Sequence, residues 1–218
     1  MIIPSRFNGP PGSGNGGWSA GLFAAAAGHD GPVEVTLRRP PPLQTPLTLS
    51  GDEVRDPEGR LVAQVRPTGA VPDPVPPVEL GVARVAAATY AGLVDHPFPG
   101  CYVCGPQRAD GLRIFPGRLP DGRTAAPFTA PAEVTAATVW AALDCPGGWA
   151  VIVPGRPYVL GRITVVSHAL PAPGDECVVT GVMDETHGRR ALVRSSLYGP
   201  DGRLLARSRA AWIALETA

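Results

Sequence analysis

Asp144 is the residue whose type and surroundings favour chemistry most strongly. It follows Leu143 near the end of a segment with helical character, and Trp140 and Trp149 lie close to it in the sequence. Such apolar surroundings predict a raised carboxyl pKa, which suits a general base. In the last turn of a helix its charge would be unfavourable by up to about 1 kcal/mol, so we expect a functional reason for it. The alternative is an exposed aspartate that accepts hydrogen bonds from the following glycine amides in a local turn.

A glycine-rich loop near the amino terminus is the second candidate. Asn15 is a good helix N-cap, and Gly16 and Gly17 follow it at the start of a segment rich in alanine. Their amides would carry the positive end of the helix dipole, and the missing side chains would let a ligand atom approach the backbone. The sequence therefore predicts a site for a carbonyl or an anion. A tight turn that only packs the helix under a sheet is the alternative.

The spacing of Cys101 and Cys104 is compatible with a zinc site or a redox site. Zinc needs four ligands, usually as two close pairs, but Cys145 and Cys177 each stand alone in the sequence. His96 would supply one more ligand, and no clear fourth follows. Redox Cys-x-x-Cys motifs open a helix after a strand, whereas Gly-Pro follows this one. We therefore predict no metal site and no cofactor.

The remaining nucleophiles and bases form no evident constellation. His29 and His187 lie in predicted turns, whereas His168 lies next to a strand end and could face a pocket. No serine occupies a Gly-x-Ser-x-Gly motif, so a serine hydrolase of that kind has no support.

Composition narrows the class of protein that must position these residues. Gly and Pro number 27 each among 218 residues, but a hydrophobic content of 44% indicates a globular chain with proline-rich connections. The 19 basic residues, all arginine, balance 19 acidic ones, which argues against a nucleic-acid partner. No apolar run approaches membrane-spanning length, and the first residues lack the apolar core of a signal peptide. We expect a soluble, cytoplasmic protein with no membrane partner.

Hydrophobic periodicity predicts three helices and a set of antiparallel strands. The helices are predicted from residue 15, over 77–93, and from 129 to 144, where Cys145-Pro146-Gly147-Gly148 should stop the third. The predicted strands are 33–39, 45–54, 60–66, 111–116, 123–128, 150–153, 158–169, 177–185, 189–198 and 203–215.

An internal repeat organises these elements. The segment 57–63, Pro-Glu-Gly-Arg-Leu-Val-Ala, matches 200–206, Pro-Asp-Gly-Arg-Leu-Leu-Ala, at nearly every position. Similar strands precede both segments, and a tryptophan-bearing helix precedes each group. We predict an α+β chain with a first repeat at 1–69, shortened by one hairpin, a proline-rich connector with a helix at 70–100, and a second repeat at 101–218.

A helix wrapped by an antiparallel sheet, duplicated in one chain, resembles the double hotdog fold of the acyl-CoA thioesterase II family. The residues that carry the resemblance are Gly16-Gly17 with 24–27, Leu37-Arg38-Arg39-Pro40 and Ala141-Ala142-Leu143-Asp144. The resemblance implies that Asp144 binds or activates the hydrolytic water. Asn15-Gly16-Gly17 also looks like the His-Gly-Gly helix start of phenylacetyl-CoA-type hotdog thioesterases, in which a glycine amide polarises the thioester carbonyl.

The resemblance implies a thioester hydrolase acting on an acyl-CoA or an acyl-carrier thioester. We expect catalysis by Asp144 with Asn15, Gly16 and Gly17, and substrate contacts from four further residues: Trp18, Trp140, Arg39 and His168. The family's Thr and Gln partners of this Asp fall near Gly161 and Ala210, neither of which can donate a side-chain hydrogen bond. The alternative is therefore an acyl-CoA-binding or acyl-chain-binding hotdog protein without catalysis. Hotdog dehydratases are a third class, but their paired His and acid are missing here.

Single hotdogs place their active site at a dimer interface, so a fused pair should form its site within one chain. We predict one site, in which Asp144 lies within water-bridging distance of the Gly16 and Gly17 amides. The opposite site should be closed, since its predicted helix start, 129–133, lacks glycines and the end of the first helix, 24–28, lacks an acid. A homodimer of two such double hotdogs is also compatible with this prediction.

Overall fold

The computed structural model describes residues 1–70, 72–153 and 155–216. Its α-helices are α1 (Gly16–Ala27), α2 (Leu80–Ala88) and α3 (Ala136–Trp149), with short 3₁₀ turns at Ser5–Phe7 and Ala91–Leu93. Its strands are β1 (Val33–Leu37), β2 (Thr48–Ser50), β3 (Glu53–Arg55), β4 (Leu61–Pro67), β5 (Gly117–Arg118), β6 (Thr124–Thr129), β7 (Tyr158–Ser167), β8 (Glu176–His187), β9 (Arg190–Tyr198) and β10 (Leu204–Ala214).

All of these strands join one antiparallel sheet in the order β2-β3-β4-β1-β7-β10-β9-β8-β6-β5. The four strands after α1 lie in the order β2-β3-β4-β1. The four strands after α3 lie in the order β8-β9-β10-β7, so in both sets the first strand along the chain lies beside the last. The two sets meet where β1 pairs with β7, with Val35 opposite Ile163. The chain therefore repeats one topology twice, and only the second set is extended by the β5–β6 hairpin.

The two long helices pack against each other on the same side of the sheet, and small residues let them approach. A Cβ atom at Gly21 would lie 2.7 Å from the Cα atom of Ala137 and 2.8 Å from the Cβ atom of Trp140. Fully buried side chains of α1 and the strands, such as Phe23, Val35 and Ile163, belong to the core around the helices. This packing holds the start of α1 against the middle of α3.

Helix α3 differs at both ends from the prediction. It begins at Ala136 instead of residue 129, because Thr129 pairs with Glu176 in the sheet. The side chain of Thr135 caps the start and accepts from the Thr138 amide. At the other end the helix continues through Pro146 to Trp149, so the expectation that Cys145-Pro146-Gly147-Gly148 stops it is wrong.

The two glycines of that segment serve close packing instead of helix termination. A Cβ atom at Gly147 would lie 2.7 Å from the Val193 side chain, and one at Gly148 would lie 2.4 Å from the Trp212 ring. Tertiary contact with the sheet thus overrides the local signal for a helix end. As a result Asp144 lies inside the helix and not in its last turn.

Several predicted strands and one predicted helix are shorter, divided or missing. Helix α2 spans nine residues of the predicted 77–93, and a turn at Gly51 divides the predicted strand 45–54 into β2 and β3. Residues 111–116 form no strand, because the amides of Leu112 and Ile114 donate to carbonyls of Tyr102 and Val103. Residues 150–153 form no strand either, and Val153 makes only an isolated bridge. None of the described helices is long and apolar enough to cross a membrane.

Candidate active site

The start of α1 is built around Asn15, as its N-cap. The Asn15 Oδ1 atom accepts a hydrogen bond from the Trp18 amide at 2.8 Å. The Gly17 amide donates at 2.9 Å to Oδ2 of Asp144, which comes from α3. The Gly16 amide takes part in none of the hydrogen bonds among the described residues. One amide of the helix start is therefore bound to the acid of the other half.

Glycine is required at position 17 by the close approach of the helices. A Cβ atom there would lie 2.6 Å from the Cβ atom of Asp144 and 2.7 Å from the carbonyl oxygen of Trp140. At Gly16 a Cβ atom would lie 2.8 Å from the Cβ atom of Leu160, which covers this side of the helix start. The missing side chain at position 17 thus admits a neighbouring acid. The expected open approach of a ligand to these two amides is not observed, because Asp144 occupies the Gly17 amide and Leu160 covers Gly16.

Asp144 is held on one side only. It is 2% exposed, and its Oδ2 atom also accepts from Asn15 Nδ2 at 3.3 Å. Its Oδ1 atom has no hydrogen-bond partner in the described part of the chain. A buried carboxylate oxygen without a partner is unfavourable, so this atom is available to a water molecule or a ligand.

Burial raises the pKa of Asp144 to about 7, although hydrogen bonds from Gly17 and Asn15 lower it and the nearby Cys101 raises it further. Because Asp144 lies within α3, its carboxylate faces the positive end of α1 instead of the negative end of its own helix. The expected penalty in the last helical turn is therefore replaced by a favourable contact between helices.

A cavity of about 40 Å³ adjoins Asn15 and Asp144. A cavity of this size has room for a few water molecules, but an acyl chain does not fit. Its other polar lining comes from His96 and three cysteines, and its apolar lining includes Phe98, Trp149, Tyr158, Leu160 and Trp212. An acyl chain would therefore need a wider cavity, and Leu160 is one of the apolar side chains that line the present one.

The four predicted substrate-binding residues do not line this cavity as the structure describes it. Trp18 is buried and stacks on Phe7, with ring centroids 3.9 Å apart. Trp140 is buried between the helices, next to Gly21. Arg39 and His168 are both exposed, just after β1 and β7. Of the sequence candidates, the structure brings together Asn15, Gly17 and Asp144.

The sequence indicates Cys101 and Cys104 as a pair but does not show that Cys145 lies beside them. The Sγ atoms of Cys101, Cys104 and Cys145 all lie within 4.8 Å of one another. The expectation that Cys145 stands alone is therefore wrong. Cys177 lies apart on β8, where it pairs with Phe128.

Gly161 and Ala210, which align with the Thr and Gln of the acyl-CoA thioesterase II family, supply no side-chain hydrogen-bond donor. Ala210 is buried on β10, and Gly161 on β7 has the Ile213 side chain 3.0 Å from where a Cβ atom would be. On the same strand as Ala210, the Ser208 hydroxyl donates to the Leu143 carbonyl at 3.5 Å. The serine is thus bound to the helix backbone one residue before Asp144.

The opposite, pseudosymmetric site differs from the expectation in its helix start. Residues 129–133 precede α3, so the start is at Thr135, where the Thr135 amide donates to Thr138 Oγ1 and the threonine side chains complete a capping box. At the end of α1, Gly28 adopts a left-handed conformation with φ of 64° and the last turn carries no acid. The amides of Thr135 and Thr138 are therefore bound within this helix start and not by a side chain from α1.

No known protein family matches this sequence, and no curated protein matches it either. Among solved structures, the chain is similar to a candidate thioesterase from Novosphingobium aromaticivorans, with 18% identity, a TM-score of 0.58, and coverage of 99% of this chain and 94% of that one. It is also similar to a conserved hotdog-fold protein of unknown function from Alicyclobacillus acidocaldarius, with 14% identity, a TM-score of 0.57, and coverage of 99% and 92%. The fold is thus an α+β double hotdog, as predicted.

Proposed function

We propose that this double hotdog protein is an acyl-CoA thioesterase-like hydrolase in which Asp144 directs water at the thioester. The observation that carries the proposal is the junction of the two repeats, where the Asp144 carboxylate meets the start of α1 at 2.9 Å and keeps one oxygen without a partner. The candidate thioesterase with the same fold adds support from outside the chain. Among the described residues, the one other buried acid is Asp56.

The reaction needs a base for water and a donor for the carbonyl oxygen. Asp144 Oδ1 accepts a proton from water while the water oxygen attacks the thioester carbonyl carbon. The tetrahedral oxyanion is stabilised by Asn15 Nδ2 and by the Gly17 amide, which Asp144 Oδ2 shares with it. The C–S bond then breaks, and the thiolate leaving group takes the proton from Asp144. The products are a carboxylic acid and a free thiol.

The side chains that line the cavity determine how a thioester reaches Asp144. Because about 40 Å³ holds only water, the thioester must displace Leu160, whose side chain covers Gly16. The Gly16 amide then becomes a second backbone donor for the oxyanion. Removal of one such donor typically raises the barrier by about 3–4 kcal/mol.

The test is hydrolysis of a panel of acyl-CoA thioesters by the wild type and by Asp144→Asn. Free CoA is best quantified by chromatography, since thiol reagents would also react with the four cysteines. The substitution keeps the size of the side chain and removes the base, so kcat/KM should fall by about 10²- to 10⁴-fold.

Asp56→Asn is the matched control. Asp56 is also buried, but it accepts hydrogen bonds from Arg60 in the β3–β4 turn and lies outside the cavity. This variant should keep the wild-type rate. The proposal is wrong if the wild type cleaves no thioester in the panel, or if Asp144→Asn cleaves as fast as the wild type.

A second candidate function is binding of an acyl-CoA without catalysis. Two observations favour it: Gly161 and Ala210 supply no partner for a water molecule, and Asp144 already occupies the Gly17 amide. Titration calorimetry with the same panel separates the two functions. Saturable binding without release of free CoA supports the second function, whereas turnover excludes it.

A further inference from the structure

The three cysteines beside Asp144 form a cluster drawn from distant parts of the chain. Cys101 and Cys104 lie on a turn-rich loop and Cys145 lies on α3, and each is at most 4% exposed. All four cysteines of the protein are free thiols in the structure. Buried cysteines often act as small apolar residues, but convergence of three sulfur atoms on one point requires a further reason.

The loop around Cys101 is shaped by its backbone. The Gly105 amide donates to the Cys101 carbonyl at 2.9 Å, and a Cβ atom at Gly105 would lie 2.5 Å from the Cys101 amide nitrogen. This tight turn places the two sulfur atoms of the Cys-x-x-Cys segment on the same side. Two cysteines at this spacing are a common half of a zinc site.

Two side-chain N–H groups are directed at the sulfur atoms. His96 Nδ1 accepts from the Phe98 amide at 2.9 Å, so in the neutral ring Nε2 carries the proton. That Nε2 atom lies 3.4 Å from Cys104 Sγ and donates to it. Asn15 Nδ2 lies 3.8 Å from Cys101 Sγ. N–H donors to sulfur are typical of the shell around metal-bound thiolates.

We propose that Cys101, Cys104 and Cys145 bind a zinc ion as thiolates, with the fourth coordination position on the side of the cavity that they share with Asp144. Zn–S bonds of about 2.3 Å in tetrahedral geometry place sulfur atoms about 3.8 Å apart. The observed spacing of at most 4.8 Å therefore needs a contraction of about 1 Å or less. Each thiol loses its proton to solvent on binding, and no electron is transferred.

Three thiolates suit zinc better than harder cations such as Mg²⁺ or Ca²⁺, which prefer oxygen ligands. His96 acts as a hydrogen-bond donor to the cluster and is not the fourth ligand, since its Nδ1 atom is already an acceptor. The bound metal would join the loop at 101–104 to α3 at the residue after Asp144. This proposal is independent of the proposed hydrolase activity, because it concerns metal content alone.

The first experiment measures zinc in the tag-free protein, purified without chelator under reducing conditions. The wild type should carry about one zinc per chain, and Cys104→Ser and Cys145→Ala should each retain about a tenth of it or less. Cys177→Ala is the matched control because Cys177 is equally buried but lies on β8, and it should keep the wild-type content.

The second experiment needs no variant and so does not depend on how the variants fold. The wild type is stripped of metal by a chelator with reductant present and is then titrated with Co²⁺. A thiolate-to-cobalt charge-transfer band in the near ultraviolet is expected, together with the visible bands of tetrahedral cobalt.

Either experiment can overturn the proposal. It is wrong if the reduced wild type contains no zinc and binds no Co²⁺ through thiolates, or if the zinc content does not differ between the cluster variants and Cys177→Ala. Binding of Co²⁺ without a charge-transfer band contradicts it as well, because the ligands would then not be thiolates.

Discussion

Helices α1 and α3 each precede four strands of the same neighbour order, and each begins with a capping side chain, Asn15 or Thr135. They differ at the second helical residue, which is Gly17 in α1 and Ala137 in α3. The absence of a Cβ atom at Gly17 leaves room for the Asp144 side chain of the other helix. The two halves thus share a topology but not the chemistry at their helix starts.

The two helices also differ at their ninth residue, which is the position that supplies the acid. In α3 it is Asp144, whereas in α1 it is Ala24. The pseudo-equivalent of the Asp144–Gly17 contact therefore pairs an alanine with an alanine. A duplicated fold can keep its packing in both halves while only one junction keeps polar groups, which is why we expect one site per chain.

The largest effect on stability is expected at the second helical residue. Gly17→Ala would place a Cβ atom within 2.7 Å of two atoms of α3, and overpacking of this kind costs about 3 kcal/mol. At about 2–4 °C per kcal/mol, thermal denaturation should show a Tm about 6–12 °C below that of the wild type.

The matched variant at the other helix start is Ala137→Gly. It introduces no clash and should cost about 1 kcal/mol or less, the usual difference between these residues in a helix. Equal losses of Tm for Gly17→Ala and Ala137→Gly would show that the two helix starts are packed alike. That result would contradict the difference described above.

A smaller effect is expected at the capping residues. Asn15→Ala removes the bond to the Trp18 amide and the bond to Asp144, so the free energy of unfolding should fall by about 2 kcal/mol. Thr135→Ala removes only a cap and should lower it by about 1 kcal/mol. Denaturant titration measures both losses.

Activity provides a second readout for the same pair of variants. Only Asn15→Ala should also slow hydrolysis of acyl-CoA, because only Asn15 contacts Asp144. If Thr135→Ala reduces turnover as much as Asn15→Ala, the α1 start is not the site.

The smallest difference between the two halves is expected at a pair of turns that have the same sequence pattern. Gly59 and Gly202 occupy matching turns before β4 and β10, with φ of 76° and 75° and no atoms within 4 Å of an added Cβ. Each change to alanine should cost about 1 kcal/mol from the left-handed backbone alone. Thermal denaturation should give the same shift for both, and a clear difference would mean that the two turns are not equivalent.

Local features of the sequence were sufficient to predict much of the first half. Asn15 as an N-cap, the turn at Gly59 and the repeat that contains it depend on nearby residues, and the structure contains all three. The start of α3 was misplaced because Thr129-Ala130-Pro131 also has the pattern of a helix start. Sheet pairing of Thr129, a long-range interaction, decided against it.

The site was predictable in part, for a different reason. The meeting of Asp144 with Gly17 followed from the fold that the sequence resembles, since that fold places the two helices together. The contact between Cys145 and the cysteines of the loop could not be predicted from their spacing in the sequence. It depends on where the loop that carries Cys101 and Cys104 packs against α3. The small cavity depends on side chains from five or more segments and has no sequence signature.

The most direct test of the site at the junction of the repeats is a crystal structure with an acyl-CoA analogue in which a methylene group replaces the thioester sulfur. We predict the ketone oxygen at about 3 Å from the Gly17 amide or Asn15 Nδ2, with Asp144 Oδ1 facing the carbonyl carbon across one water molecule. An analogue bound at the Thr135 end of α3 or on the outer face of the sheet, with Leu160 still covering Gly16, would contradict the account.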